Sequence, residues 1–279
     1  RAVLSTFALG TGHEILEFPI RQGTTDWTQV DGARAGVVVV SYPNYLGCLE
    51  DLTAARELCD RSGALLVVAF DPVCAGLLRS PGDFGADVVV GEGQAFGMPL
   101  GFGGPYLGLF ACSEAHVRRT PGRLVGQTVD VEARRSYVTT LRAREQDIRR
   151  DKATSNVCTN QTLMAVTAAI QLGWLGPEGL AQVALRSARG AHYCREAMLS
   201  VPGVEPLVSA PTVREFALRV PIDAHVVVER LAEEGFLAGI PLSHDYVSEP
   251  GGGLLVAVTE RRSRAEVDAF VATFDKAVR

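Results

Sequence analysis

Residues 65–72 read L-L-V-V-A-F-D-P, and residues 85–105 read G-A-D-V-V-V-G-E-G-Q-A-F-G-M-P-L-G-F-G-G-P. The first is a short apolar run that stops at Asp71, and the second is another such run that opens into a glycine-rich turn. Continuous apolar runs of this length mark strands covered on both faces, as in a parallel sheet. A third run lies at 37–40. Working outward from these, the pattern predicts strands at 14–19, 36–41, 64–70, 87–91 and 106–111, with helices over 27–33 and 48–62. The second helix stops at Gly63, a common residue just past a helix end. Strand and helix in alternation give the α/β class, with a parallel sheet. Ligands of open α/β sheets gather at the carboxyl ends of strands. Asp71, the glycine turn, Pro43 and Asn44 all follow such ends.

At 279 residues the chain has room for one large domain or two ordinary ones. A hydrophobic content of 47% against 21% charged is that of a globular protein, which excludes extended disorder. No apolar run approaches the roughly 18 residues of a membrane span. The net charge of −5 gives no bulk electrostatic case for nucleic acid. The six cysteines, Cys48, Cys59, Cys74, Cys112, Cys158 and Cys194, are scattered without a C-x-x-C pair. They read as buried free thiols of a reducing compartment rather than as a zinc site or a disulfide framework. His13 and His244 lack a neighbouring acid and nucleophile, so both are read as structural, and no Ser-His-Asp or metal-ligand spacing occurs. The chain starts at Arg1 in what reads as the end of a helix, so a targeting segment upstream is open.

Between 112 and 160 charges are dense and no clean period survives, which predicts a long loop-and-ribbon excursion of the functional or partner-facing kind. A helix opening near Asn160 is apolar nearly all round and is therefore expected to be buried; Gly176-Pro177 ends it. An amphipathic helix over 179–199 leads into strand 216–220, helix 224–234, strand 253–258 and helix 263–277, the last with Ser263 as cap. The expected division is a large domain over 1–175 and a connecting helix with a small C-terminal α/β domain over 176–279.

The strings S-Y-P-N-Y-L-G-C-L-E-D-L, G-A-D-V-V-V-G-E-G-Q-A-F-G-M-P-L-G-F-G-G-P-Y-L-G, R-R-T-P-G-R-L-V-G-Q-T and R-E-Q-D-I-R-R-D-K-A-T-S-N-V-C-T-N-Q resemble the glycine cleavage system P-protein family. Within it they resemble the alpha chain (subunit 1) of the two-subunit form, glycine dehydrogenase (decarboxylating). The likeness extends to the closing L-A-G-I-P-L and L-L-V-A-V-T-E, and relative to the family a sizeable N-terminal piece is lacking. It implies a fold-type-I, aspartate-aminotransferase-like fold of pyridoxal-phosphate-dependent transferases. It also implies an enzyme complex that decarboxylates glycine and passes the aminomethyl group to the lipoyl arm of H-protein. The implied assembly is α2β2 with a beta subunit (subunit 2), in a prokaryotic cytoplasm, without nucleic acid or membrane. Pyridoxal phosphate is then held covalently by the beta subunit, in a stretch similar to H-K-T-F-x-x-P-H-G-G-G-G-P. Against that stretch this chain keeps Phe96, Pro99, Gly101, Gly103, Gly104 and Pro105, while Gln94 replaces the lysine and Gly93 the histidine.

An amide forms no imine with an aldehyde, so the chain is expected to carry no covalent cofactor. Its two lysines, Lys152 and Lys276, follow no strand and face no glycine turn. Asp71 holds the position of the carboxylate that keeps a pyridinium proton, and is either a vestige of that role or a cap for the turn at Pro72. Gln94 is a structural residue, lines a vestigial pocket or hydrogen-bonds across a subunit contact. Thr154, Ser155, Asn156, Thr159 and Asn160 precede a helix, whose free N–H groups favour anions. They help shape the partner's active site, or cap and pack. Arg142, Arg144, Arg149 and Arg150 attract a carboxylate or an acidic carrier, or form a solvated face. Two rivals stand beside this reading: a self-sufficient pyridoxal-phosphate enzyme using Lys152 or Lys276, and a silent scaffold.

Overall fold

The structure, a computed structural model, describes residues 2–29, 35–120, 122–153, 160–242 and 251–279, and of Arg144 the backbone alone. Helix α1 (Ala2–Thr11) and a small hairpin, β1 (Ile20–Arg21) with β2 (Thr24–Thr25), lead into a four-stranded sheet. Its strands β3 (Val37–Tyr42), β4 (Leu65–Phe70), β5 (Val88–Glu92) and β6 (Gly108–Cys112) lie in that order, with α2 (Leu52–Ser62) crossing between β3 and β4. Alternate residues of β3, Val38, Val40 and Tyr42, are buried in one cluster with Leu52, Ala55, Leu58 and Cys59 of α2. The helix starts where Asp51 accepts hydrogen bonds from the Thr53 and Ala54 amides and stops at Gly63, whose φ of 72° glycine adopts without steric cost.

Three expectations fail in this half. The sheet is mixed, because β5 and β6 pair antiparallel. The glycine turn carries the chain straight back beside β5 without a crossover helix, and a direct return of that kind is antiparallel. Residues 14–19 form no strand; Ile15 and Leu16 are exposed, and the alternating pattern meets no neighbouring ladder among the described residues. The helix expected over 27–33 is a single 3-10 turn, Trp27–Gln29, with 30–34 outside the described residues.

Beyond β6 the excursion contains an antiparallel ribbon, β7 (Leu124–Val129) with β8 (Arg135–Thr140), and the short helix α3 (Gln146–Arg149). Helix α4 (Thr162–Leu199) is broken at Gly176, whose dihedrals (φ 64°, ψ 179°) are not helical, and Pro177 restarts it. Its first leg is not buried all round. Met164, Ala168 and Leu172 pack into a cluster with Val73, Phe96 and Met98, whereas Leu163, Val166, Ile170 and Trp174 are exposed. Apolar residues on every side of a helix record that all sides are covered somewhere, and the described chain covers only one side.

The second sheet has the order β11-β12-β10-β9, formed by β9 (Glu205–Pro206), β10 (Glu215–Val220), β11 (Ile240–Leu242) and β12 (Gly252–Ala257). Helices α5 (Ala224–Glu233) and α6 (Arg264–Ala277) join it. Phe216, Leu218, Val220, Leu254, Val227, Leu231 and Phe274 form its core together with Cys194 and Met198 of α4. Each fully buried side chain of this size contributes about 1.5–3 kcal/mol. Ser263, the predicted cap, closes a reciprocal capping box with Glu266 at the start of α6. No helix among the described residues is long and apolar enough to cross a membrane.

Candidate functional site

The two sheets meet along a seam next to the carboxyl ends of β3 and β4. Leu49 donates to the Pro211 carbonyl (2.9 Å), and Cys48 and Thr212 form an isolated bridge. Gly47 lets the chains touch, since a Cβ there would lie 2.1 Å from the Glu215 carbonyl oxygen. Asp71 sits at this seam, at the N-terminus of the 3-10 turn Pro72–Gly76. One of its oxygens accepts from the Val73 amide (3.1 Å); the other meets the Arg214 guanidinium at 2.8 Å and the Cys74 thiol at 3.5 Å. Burial, reinforced by Asp71, pushes the Cys74 thiol up. Burial, with Asp71 adding to it against Arg214, also raises Glu215 above the usual carboxylate range.

The glycine turn lies beside this strand end. Val73, from the Asp71 turn, shares one apolar cluster with Phe96 and Met98 from the glycine turn. Gln94 spends its amide inside the turn: its Nε2 donates to the Met98 carbonyl (2.7 Å). Glu92 holds the mouth of the turn, accepting from the Gln94 amide (3.0 Å) and the Leu107 amide (2.9 Å) with a single oxygen. Gly97 has φ 86° and faces α4, where a Cβ would stand 3.2 Å from that of Gln171. This turn fits the side of a helix.

The other candidate residues fall elsewhere. Asn44 is consumed by its own loop and the β1–β2 turn, donating to Glu50 and the Gly23 carbonyl and accepting from the Leu46 and Cys48 amides. Thr154, Ser155, Asn156 and Thr159 lie outside the described residues, as do Cys158 and His244. Asn160 is exposed and accepts from the Thr162 hydroxyl. Arg149 and Arg150 are exposed around α3, and Arg142 pairs with Asp147. Arg123, Arg142, Glu145 and Asp147 line an open cleft of about 550 Å³ between the ribbon and α3, in which neither sign of charge prevails. His13 is exposed beside Thr11. Cys48, Cys59, Cys74 and Cys194 are buried and Cys112 is half-buried. No group of three or more His, Cys, Asp or Glu among the described residues is arranged to hold a metal ion.

Sequence reasoning missed Arg214 and Glu92. Neither belongs to a catalytic pattern. Arg214 stands far along the chain from Asp71, and the only local signal is a charge pair, Arg214-Glu215, at the mouth of an apolar strand.

Pyridoxal phosphate does not fit these residues. Gln94, which the resemblance sets against the lysine, is an amide bound to the Met98 carbonyl, and Asp71, which it sets against the ring-nitrogen carboxylate, is engaged by Val73, Cys74 and Arg214. Lys152 and Lys276 are both exposed, the first in a 3-10 turn and the second in the last turn of α6.

Comparison with known proteins gives the family of the chain. The chain is 47% identical over 275 residues to the probable glycine dehydrogenase (decarboxylating) subunit 1 of Moorella thermoacetica, covering 98% of this chain and 62% of that protein. It superposes on a crystal structure of glycine decarboxylase (P-protein) of the glycine cleavage system with a TM-score of 0.92 and 43% identity, over 99% of this chain and 62% of that one. A cysteine desulfurase from Escherichia coli matches with a TM-score of 0.69 and 16% identity, over 98% of this chain and 67% of that one, which shows the fold alone. The fold is that of the type-I pyridoxal-phosphate-dependent enzymes. The chain thus spans about three fifths of the length of the relatives it matches. Residues 1–274 match the glycine cleavage system P-protein family, and the chain belongs to it.

Proposed function

We propose that this chain is part of the non-lysine-bearing alpha subunit (subunit 1) of glycine dehydrogenase (aminomethyl-transferring, decarboxylating), an oxidoreductase of glycine cleavage. Residues 1–175 belong to its large domain, and 176–279 to the connecting helix and small domain. The beta subunit (subunit 2) carries pyridoxal phosphate on its lysine, and the two assemble as α2β2 in a prokaryotic cytoplasm. The complex decarboxylates glycine and passes the aminomethyl group to lipoylated H-protein. When bound in the complex, the cofactor supplies the electron sink that decarboxylation requires.

This chain contributes interface, the wall of the substrate channel and, through 154–160 with Arg149 and Arg150, support for the partner's site. The observation that carries the reading is Gln94, an amide where the resemblance puts the lysine, whose Nε2 donates to the Met98 carbonyl within its own turn. The names of the relatives as subunit 1 support it. A self-sufficient enzyme would have to use one of the two exposed lysines.

Borohydride reduction in the presence of pyridoxal phosphate, followed by peptide mass mapping of this chain and a co-expressed beta subunit, tests the proposal. The expected result is stoichiometric pyridoxyl-lysine on the beta subunit and none on this chain. Stoichiometric labelling of Lys152 or Lys276 overturns it.

A further inference from the structure

The Asp71–Arg214 pair joins the end of β4 in one sheet to the start of β10 in the other, at 2.8 Å. It is sheltered, the side chains being 15% and 26% exposed. Arg214 is held from behind as well, by Val258 donating to its carbonyl (2.9 Å) and by the Glu215 carboxylate 3.0 Å from its Nε. An aspartate in such a position is suited to a flat, cationic N–H donor, which is what a protonated pyridine ring offers. A guanidinium has the same three properties and never loses its charge.

We propose that Arg214 takes the place of the ring cation at Asp71, so that the chain supplies the carboxylate's counter-charge itself and closes that position to a cationic ligand. The inference rests on the reading of this chain as the cofactor-free subunit, and it adds a second barrier to the first. Gln94 removes the covalent anchor, while Arg214 removes the electrostatic one, since a second cation at Asp71 would meet a like charge at a partly buried site. The same pair fastens the two sheets together, a task a departing ligand cannot perform.

Restoring a lysine is therefore insufficient. The full chain is prepared as Gln94→Lys, as Gln94→Lys with Arg214→Gln, and as that pair with Asp71→Asn added. Each is incubated with pyridoxal phosphate, reduced with borohydride and mapped by mass, with exposed Lys152 and Lys276 as internal standards. The expected result for Gln94→Lys alone is labelling at position 94 no greater than at the two standards. Adding Arg214→Gln raises it tenfold or more, and Asp71→Asn abolishes the gain. Equal labelling at position 94 with and without Arg214→Gln overturns the proposal, as does a gain that survives Asp71→Asn.

A double-mutant cycle of Asp71→Asn and Arg214→Gln in urea reads the pairing independently of any ligand. A coupling of at least fivefold in the unfolding constant is expected, and strictly additive effects overturn the pairing. Stoichiometric labelling of Lys152 or Lys276 in the unsubstituted chain would instead defeat the proposed function, leaving the Arg214 comparison readable.

Discussion

Gly47→Ala tests whether the seam between the sheets is as tight as its geometry says. Gly47 has φ 81°, a region that costs an L-residue about 1–2 kcal/mol. The added Cβ would also stand 2.1 Å from the Glu215 carbonyl oxygen and 2.5 Å from its carbon. Those atoms are backbone at the start of β10, so no side chain can rotate away, and relief requires the strand end to move by about 1 Å. Overpacking of this kind costs about 1–3 kcal/mol, for a total of about 2–5 kcal/mol. At about 2 °C per kcal/mol for a chain of this size, the melting midpoint falls by roughly 4–10 °C. Gly63→Ala is the control, because Gly63 shares the left-handed conformation (φ 72°) but faces open space. It should show the conformational cost alone, about 1–2 kcal/mol. Urea titration followed by circular dichroism compares the two. Equal destabilisation by Gly47→Ala and Gly63→Ala would refute the clash, and with it the closeness of the seam.

Asp51→Ala removes the cap that holds two amides at the start of α2 and should cost about 1 kcal/mol by urea titration. Phe274→Ala empties a fully buried ring site and should cost about 3–5 kcal/mol in the same assay. Burial works against ionisation of Asp87, but hydrogen bonds from the Leu66 amide and Arg56 outweigh it and hold its carboxyl below the usual range. Its stabilisation is thus complete above the unfolded aspartate value of about 3.9 and is lost as pH falls through the lower folded value. Asp87→Asn should flatten that acid limb of a stability-versus-pH curve. Burial pushes the Cys48 and Cys194 thiols up to about 12, so at pH 8 both should resist iodoacetamide until urea unfolds the chain.

The strands of the first sheet were legible because 37–40, 65–70 and 88–90 are unbroken apolar runs, a signal that depends only on local burial. The failure at 14–19 has the complementary cause: a strand exists only beside another strand, and alternation cannot report whether a neighbour is present. The antiparallel return of β6 leaves no local mark, because the residues of the glycine turn report its tight geometry and not the direction in which it sends the chain. At the candidate site, Asp71 and Gln94 could be found from their places after strands. Arg214 could not, because an ion pair between distant segments leaves no periodic trace in either.

Trp174, on the exposed face of α4, is 82% exposed, whereas the only other tryptophan, Trp27, is half-buried against Phe18. The chain therefore carries its own optical probe. Iodide should quench the Trp174 emission preferentially. Any polypeptide that comes to cover this helix face will shift the spectrum to shorter wavelength and shield that fraction from quencher, leaving the Trp27 fraction as an internal reference.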